Sequence, residues 1–166
     1  MIPLLLPLAL AAKPDSDACH AVRSVLSATT FTLATPYRYE WSADAVDVTS
    51  GTLLVLGVDP TWLVPSNTRQ PTLFAGALPV ERLGTGYPDG HLVVVVPSVV
   101  DLARAPLYFS GYDLPERIDS AAGKRALDAA STAGCAPLPI PAQKALSLPG
   151  RTALLDHAAR LDLATP

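Results

Sequence analysis

A chain of 166 residues with a formal charge of −3 has no basic excess to neutralise phosphates, which argues against a nucleic-acid partner. At 49% hydrophobic residues it is long and apolar enough to bury a sizeable core of its own. A structural zinc site needs four ligands and a catalytic one three; Asp89 and His91 stand close together, but the other histidines, His20 and His157, lie near the two ends, so no metal or other cofactor is expected.

The chain begins "MIPLLLPLALAA", which is apolar from Met1 to Ala12 and carries no charge. Ala9-Leu10-Ala11 has the small-x-small form of a signal-peptidase site, so residues 1–11 are expected to be a signal peptide. The apolar run is shorter than the roughly 20 residues a transmembrane helix needs. The expected location of the mature protein is therefore periplasmic or extracellular. Cys19 and Cys135 bracket most of the patterned sequence. In an oxidising compartment they read as one disulfide. Closing so long a loop would stabilise the fold by roughly 4 to 5 kcal/mol on the chain-entropy account.

From residue 30 to residue 110 the pattern is that of strands. "TFTLA" (30–34), "YRYEW" (37–41), "TLLVLGV" (52–58), "TLFAG" (72–76), "PVERL" (79–83), "HLVVVV" (91–96) and "PLYFS" (106–110) are rich in β-branched and aromatic residues. Pro36, "TSG", "DP", "SNTRQP" and "YPDG" separate them and supply bend chemistry. About seven short strands at this spacing predict a mainly β domain, an antiparallel β-sandwich, over residues 12–135. Leu53 to Val58 and Leu92 to Val96 do not alternate with polar residues. They are expected to be central strands buried on both faces, with a later helix covering the second face.

In Tyr87-Pro88-Asp89-Gly90 proline presets the first corner, aspartate bonds its own backbone and glycine accepts a positive φ. The string predicts a hairpin turn, and His91 then simply starts a strand. "YRYEW" alternates strictly, placing Tyr37, Tyr39 and Trp41 on one face and Arg38 and Glu40 on the other. That aromatic stripe is either core or, if exposed, a platform on which a saccharide could stack; the stability gained by burying three rings favours core. Trp62, between Asp59-Pro60 and Val64-Pro65, is expected in a loop and at the surface.

Residues 113–135, "DLPERIDSAAGKRALDAASTAGC", switch to helical period with Ile118, Ala122, Ala126, Ala129 and Ala133 on one face. A packed helix is expected, with Gly134 just past its end and Cys135 immediately afterwards. The segment 136–166 is a separate Pro-rich tail, with prolines at 137, 139, 141 and 149 predicting an extended path. Its last part offers Leu154, Leu155, Ala158 and Leu161 as the apolar side of a short amphipathic helix. A helix of about 11 residues is marginal alone, so it docks on its own domain or, around Leu154, Leu155 and Leu161, on a partner.

Catalytic frames are broken. Gly123-Lys124 lacks the first glycine and the final Ser or Thr of a phosphate loop, and Ser110-Gly111 has Tyr108 where a nucleophile elbow needs glycine. Asp44, Asp47, Asp59, Glu81, Asp101, Asp113 and Glu116 are dispersed in sequence, and only folding could bring a hydrolytic pair together. The sequence thus reads as an exported, non-enzymatic binding or envelope-associated accessory protein. Its partner would be a protein or a saccharide, with Trp62, Tyr37, Tyr39 and Trp41 as candidate contacts. A carbohydrate-binding module on the aromatic face and a small secreted hydrolase using loop carboxylates are the alternatives.

Overall fold

The computed structural model describes residues 20–41, 44–63, 72–84, 89–110 and 135–164. The expected signal peptide, Cys19 and the expected helix before Cys135 lie outside the described residues. The described chain is mainly β, with two sheets and one helix near the C-terminus. None of its helices is long and apolar enough to cross a membrane.

The larger sheet contains β1 (Val22–Trp41), β2 (Asp44–Val58), β5 (Glu81–Arg82), β6 (His91–Pro97) and β8 (Lys144–Leu148), in the order β5-β6-β2-β1-β8. β3 (Thr72–Ala75), β4 (Leu78–Pro79) and β7 (Leu107–Ser110) form the smaller sheet, in the order β4-β3-β7. All pairings are antiparallel except β1 with β8, which run parallel. β4 and β5 are separated only by Val80, so the chain changes sheet there, in the middle of the predicted strand "PVERL".

β2 and β6 are the central pair, and their unalternating sequence acts as expected. Leu54, Leu56, Val58, Leu92, Val94 and Val96 join Leu73, Leu107 and Phe109 of the smaller sheet in one core. Leu53, Val55, Val93 and Val95 point the other way, into a second core closed by Leu154 and Ala158 of α1 (Arg151–Ala164). One sheet is therefore covered by β structure on one face and by a helix on the other.

Three further sequence expectations change. "TFTLA" and "YRYEW" are one strand, because Pro36 falls in a register shift between Thr32 and Tyr37 rather than in a turn. Proline cannot donate to a ladder but tolerates extended φ, so a strand keeps its course through it where the ladder is already interrupted. "TSG" is also strand, inside β2, and Gly51 serves close approach there: a Cβ would lie 2.5 Å from the Val96 carbonyl oxygen and 3.0 Å from the Phe31 ring. Finally, the Pro-rich tail contains β8, which pairs with Thr29 to Leu33 of β1.

Of the expected turn, Tyr87 and Pro88 lie outside the described residues; Asp89 and Gly90 form a turn leading into β6, and Gly90 holds φ at +74°. Its carbonyl accepts from the Val58 N–H at 2.7 Å, tying the turn to the end of β2.

Gly51→Ala is expected to destabilise the protein by about 1–3 kcal/mol through overpacking against backbone that cannot yield. Gly84→Ala, with open space around the added carbon, should change the denaturation midpoint far less. Urea unfolding followed by circular dichroism compares the two.

Candidate functional site

Among the described residues Glu81 is the buried charged side chain, and the groups around it form the best-defined polar cluster. Glu81 pairs with Val95, so the period of two sends its side chain to the face that carries α1. Tyr37 and Tyr39 lie on that same face of β1, half-buried against the second core. Arg151 is the first residue of α1. The helix is placed by the strand before it: the Thr35 N–H donates to the Pro149 carbonyl at 2.9 Å, and the Leu154 N–H to that of Gly150 at 3.2 Å.

The Tyr37 hydroxyl donates to Glu81 Oε2 at 2.6 Å, and an Arg151 guanidinium nitrogen donates to Glu81 Oε1, also at 2.6 Å. The same guanidinium lies 5.1 Å from the centre of the Tyr37 ring, within cation–π range. β1 and β5 are three strand spacings apart in the sheet order, about 14 Å if the sheet were flat. Tyr37 and Glu81 can meet only because the sheet curls. The bulges of β1 add bend and twist of the required kind.

Electrostatics follow from burial. The Tyr37 phenol is pushed well above its ordinary value, first by burial, then by its hydrogen bond to Glu81 and by that carboxylate's charge, with Arg151 opposing. Tyr39 is pushed up to about 12, by burial and then by the charge of Glu81. The guanidinium of Arg151 is raised by its hydrogen bond to Glu81 and by the attraction of that charge. Both tyrosines stay protonated across the neutral range, and Arg151 stays charged. The cluster is a fixed sequence of donors on one acceptor, suited to holding a helix against a sheet and not to relaying a proton.

Other candidate residues are placed apart from it. Trp62, expected at the surface, is half-buried on the opposite face of the larger sheet, where it stacks on Phe109 with ring centres 5.7 Å apart. Asp59 explains that placement: its Oδ1 accepts from the Thr61 N–H at 3.0 Å and the Thr61 hydroxyl at 2.8 Å. These bonds fix a single 3-10 turn, Pro60–Trp62, and lay the indole inward. Trp41 ends β1, and its side chain lies outside the described residues.

Leu155, expected on the buried side of the helix, is 37% exposed, whereas Leu154 and Ala158 are buried and Leu161 is half-buried. A stripe of i, i+4 and i+7 leaves the residue next to its first member outside the contact.

Three of the candidate acids take separate duties, and the side chain of Asp44 lies outside the described residues. Asp59 caps its turn and meets Arg23 at 3.3 Å, Asp101 accepts from the Ala103 N–H at 3.1 Å, and exposed Asp47 faces Arg38. Asp113 and Glu116 lie outside the described residues. No group of three or more potential metal ligands occurs among the described residues. Cys135 packs against the stacked Phe74 and Tyr108 rings, and no described cysteine is free.

No strand pattern could reveal Glu81 as special. In the sequence it is one acid among several, between Val80 and Arg82 in a segment that reads as strand; its pairing with Val95 belongs to the tertiary structure.

Compared with known proteins, the chain matches no family model, and neither a curated protein nor a solved structure resembles it significantly.

Arg151→Met is expected to destabilise the fold by about 1–2 kcal/mol, the low end for a charged hydrogen bond because the side chain is half-exposed and screened. Glu81→Gln, which removes the buried charge but keeps an acceptor for Tyr37 and Arg151, should weaken it less; thermal melting orders the two.

An alkaline transition should accompany this. Unfolded tyrosine loses its proton near 10.0, folded Tyr39 only near 12, so its contribution is complete below the first value and is lost as pH rises to the second. Tyrosinate absorbance and circular dichroism should therefore change together. A tyrosinate signal from every tyrosine near 10.0 with the fold intact would contradict the burial of Tyr39.

Proposed function

We propose that this chain is an exported, disulfide-tied β protein that binds a partner in the cell envelope and does not transform a substrate. The observation that carries this reading is Glu81: both carboxylate oxygens are engaged by Tyr37 and Arg151 of the same chain. A catalytic acid or base must reach a substrate proton. Glu81 is instead committed to fastening a helix.

The apolar segment up to Ala12, with Ala9-Leu10-Ala11, supports export. The absence of a free thiol at Cys135 supports a crosslink, for which Cys19 is the other cysteine of the chain. The facing cores of the two sheets support an open sandwich. For a saccharide platform on the aromatic stripe, the Tyr37 ring would be needed, and Arg151 already lies over it. Leu155 on the outer side of α1 is an available apolar contact for a partner.

Expression with the full N-terminus in a Gram-negative host tests the reading. The expected product is periplasmic, begins at Ala12 and shows no titratable thiol until reduced. A cytoplasmic product that keeps Met1 and titrates two thiols without reductant would overturn export and crosslink together.

A further inference from the structure

The C-terminal segment clasps the sheet around the edge formed by β1. Leu138 and Ile140 pack against the first core, β8 then adds to the β1 edge, and α1 delivers Leu154 and Ala158 to the second core on the far face. Between the first of these contacts and the strand lie only Pro141, Ala142 and Gln143, which have no regular structure, the last two exposed.

We propose that β8 and α1 form an exchangeable arm, and that the partner it fits is a second copy of this chain. The acceptor is fully specified. It consists of the edge residues Thr29 to Leu33, the Thr35 N–H that bonds Pro149, the Glu81 carboxylate with Tyr37 beside it, and the apolar face that Leu154 and Ala158 cover. An identical copy presents this acceptor to an identical arm, so a reciprocal exchange about a two-fold axis reproduces every hydrogen bond, the Arg151–Glu81 ion pair and both apolar contacts. The only element that must change is the connection.

Three features favour the exchange. The arm adds to the sheet from outside, as an edge strand whose ladder is with β1 alone. Its connection is short and carries a proline, and short hinges of restricted conformation invite swapping because they fold back poorly. Charge complementarity across the contact is specific, one guanidinium to one largely buried carboxylate. Chain concentration sets the balance: a closed arm has a high effective concentration, and exchange gains as the protein becomes crowded. This inference rests on packing and does not depend on export.

Two mixtures of full-length chains test it. Thr32 and Ser147 are register partners across β1 and β8, and both are exposed. When a tagged T32C chain is mixed with an untagged S147C chain at high concentration and oxidised, exchange is expected to give a mixed disulfide about tenfold above either homodimer. Adducts at the homodimer level would overturn it.

The second mixture uses E81R and R151E. Each chain alone sets like charges together, closed or exchanged. Reciprocal exchange between the two restores opposite charges at both contacts: the arginine introduced at position 81 meets the glutamate introduced at position 151, and the native Glu81 meets the native Arg151. Light scattering should show a heterodimer enriched about tenfold over the separate chains. Persistently monomeric mixtures would show that the arm docks only on its own chain.

Discussion

The structure depends on a sheet whose central strands are apolar on both sides. Leu53, Val55, Val93 and Val95 face away from the smaller sheet and are at most 3% exposed. Fully burying a side chain of this kind contributes about 1.5–3 kcal/mol, so four of them are worth of order 6–12 kcal/mol. That is comparable with the whole net stability of a typical domain, about 5–15 kcal/mol. A second cover is thus a condition of folding, and α1 supplies it. The segment that reads as a tail in sequence is, in packing terms, one wall of the second core.

The cluster of Tyr37, Glu81 and Arg151 is better understood as orientation than as strength. An apolar helix face can slide or rotate on an apolar sheet at modest loss, whereas a buried carboxylate that must meet two donors allows one position. Net gain from such a pair is limited by the desolvation of Glu81. Its geometric demand is strict: Arg151 has to start the helix beside Glu81, and the sheet has to curl until Tyr37 reaches the same acid. The bulges in β1 and the bond from Thr35 to Pro149 serve that geometry.

The same arrangement connects structure with the functional reading. The buried acid is satisfied internally, the Tyr37 ring carries a guanidinium, and Trp62 leans on Phe109. Groups suited by type to chemistry or stacking are used to hold layers together. What is left outward on the clasp is short and sparse: the edge strand β8 and Leu155 on the helix. A surface of this kind suits recognition through an added strand or a helix face, and those are the parts on which the proposals rest.

Much of the architecture was legible before any coordinates, and for local reasons. Unbroken apolar runs at residues 53–58 and 92–96 announce burial on two faces, Asp89-Gly90 announces a turn, and the spacing of Leu154, Ala158 and Leu161 announces a helix with one apolar side. These are statements about periods and backbone angles, which each residue carries with it. Tertiary structure alone decided three other matters. Pro36 and "TSG" became strand because a long hairpin partner held them extended, and residues 144–148 became strand because an edge of β1 was open to pair with. Glu81, Tyr37 and Arg151 became one cluster because curling and helix docking brought together groups 44 and 70 residues apart in the chain. Neighbour relations across a sheet depend on which edges meet, and no residue encodes that in its own propensity.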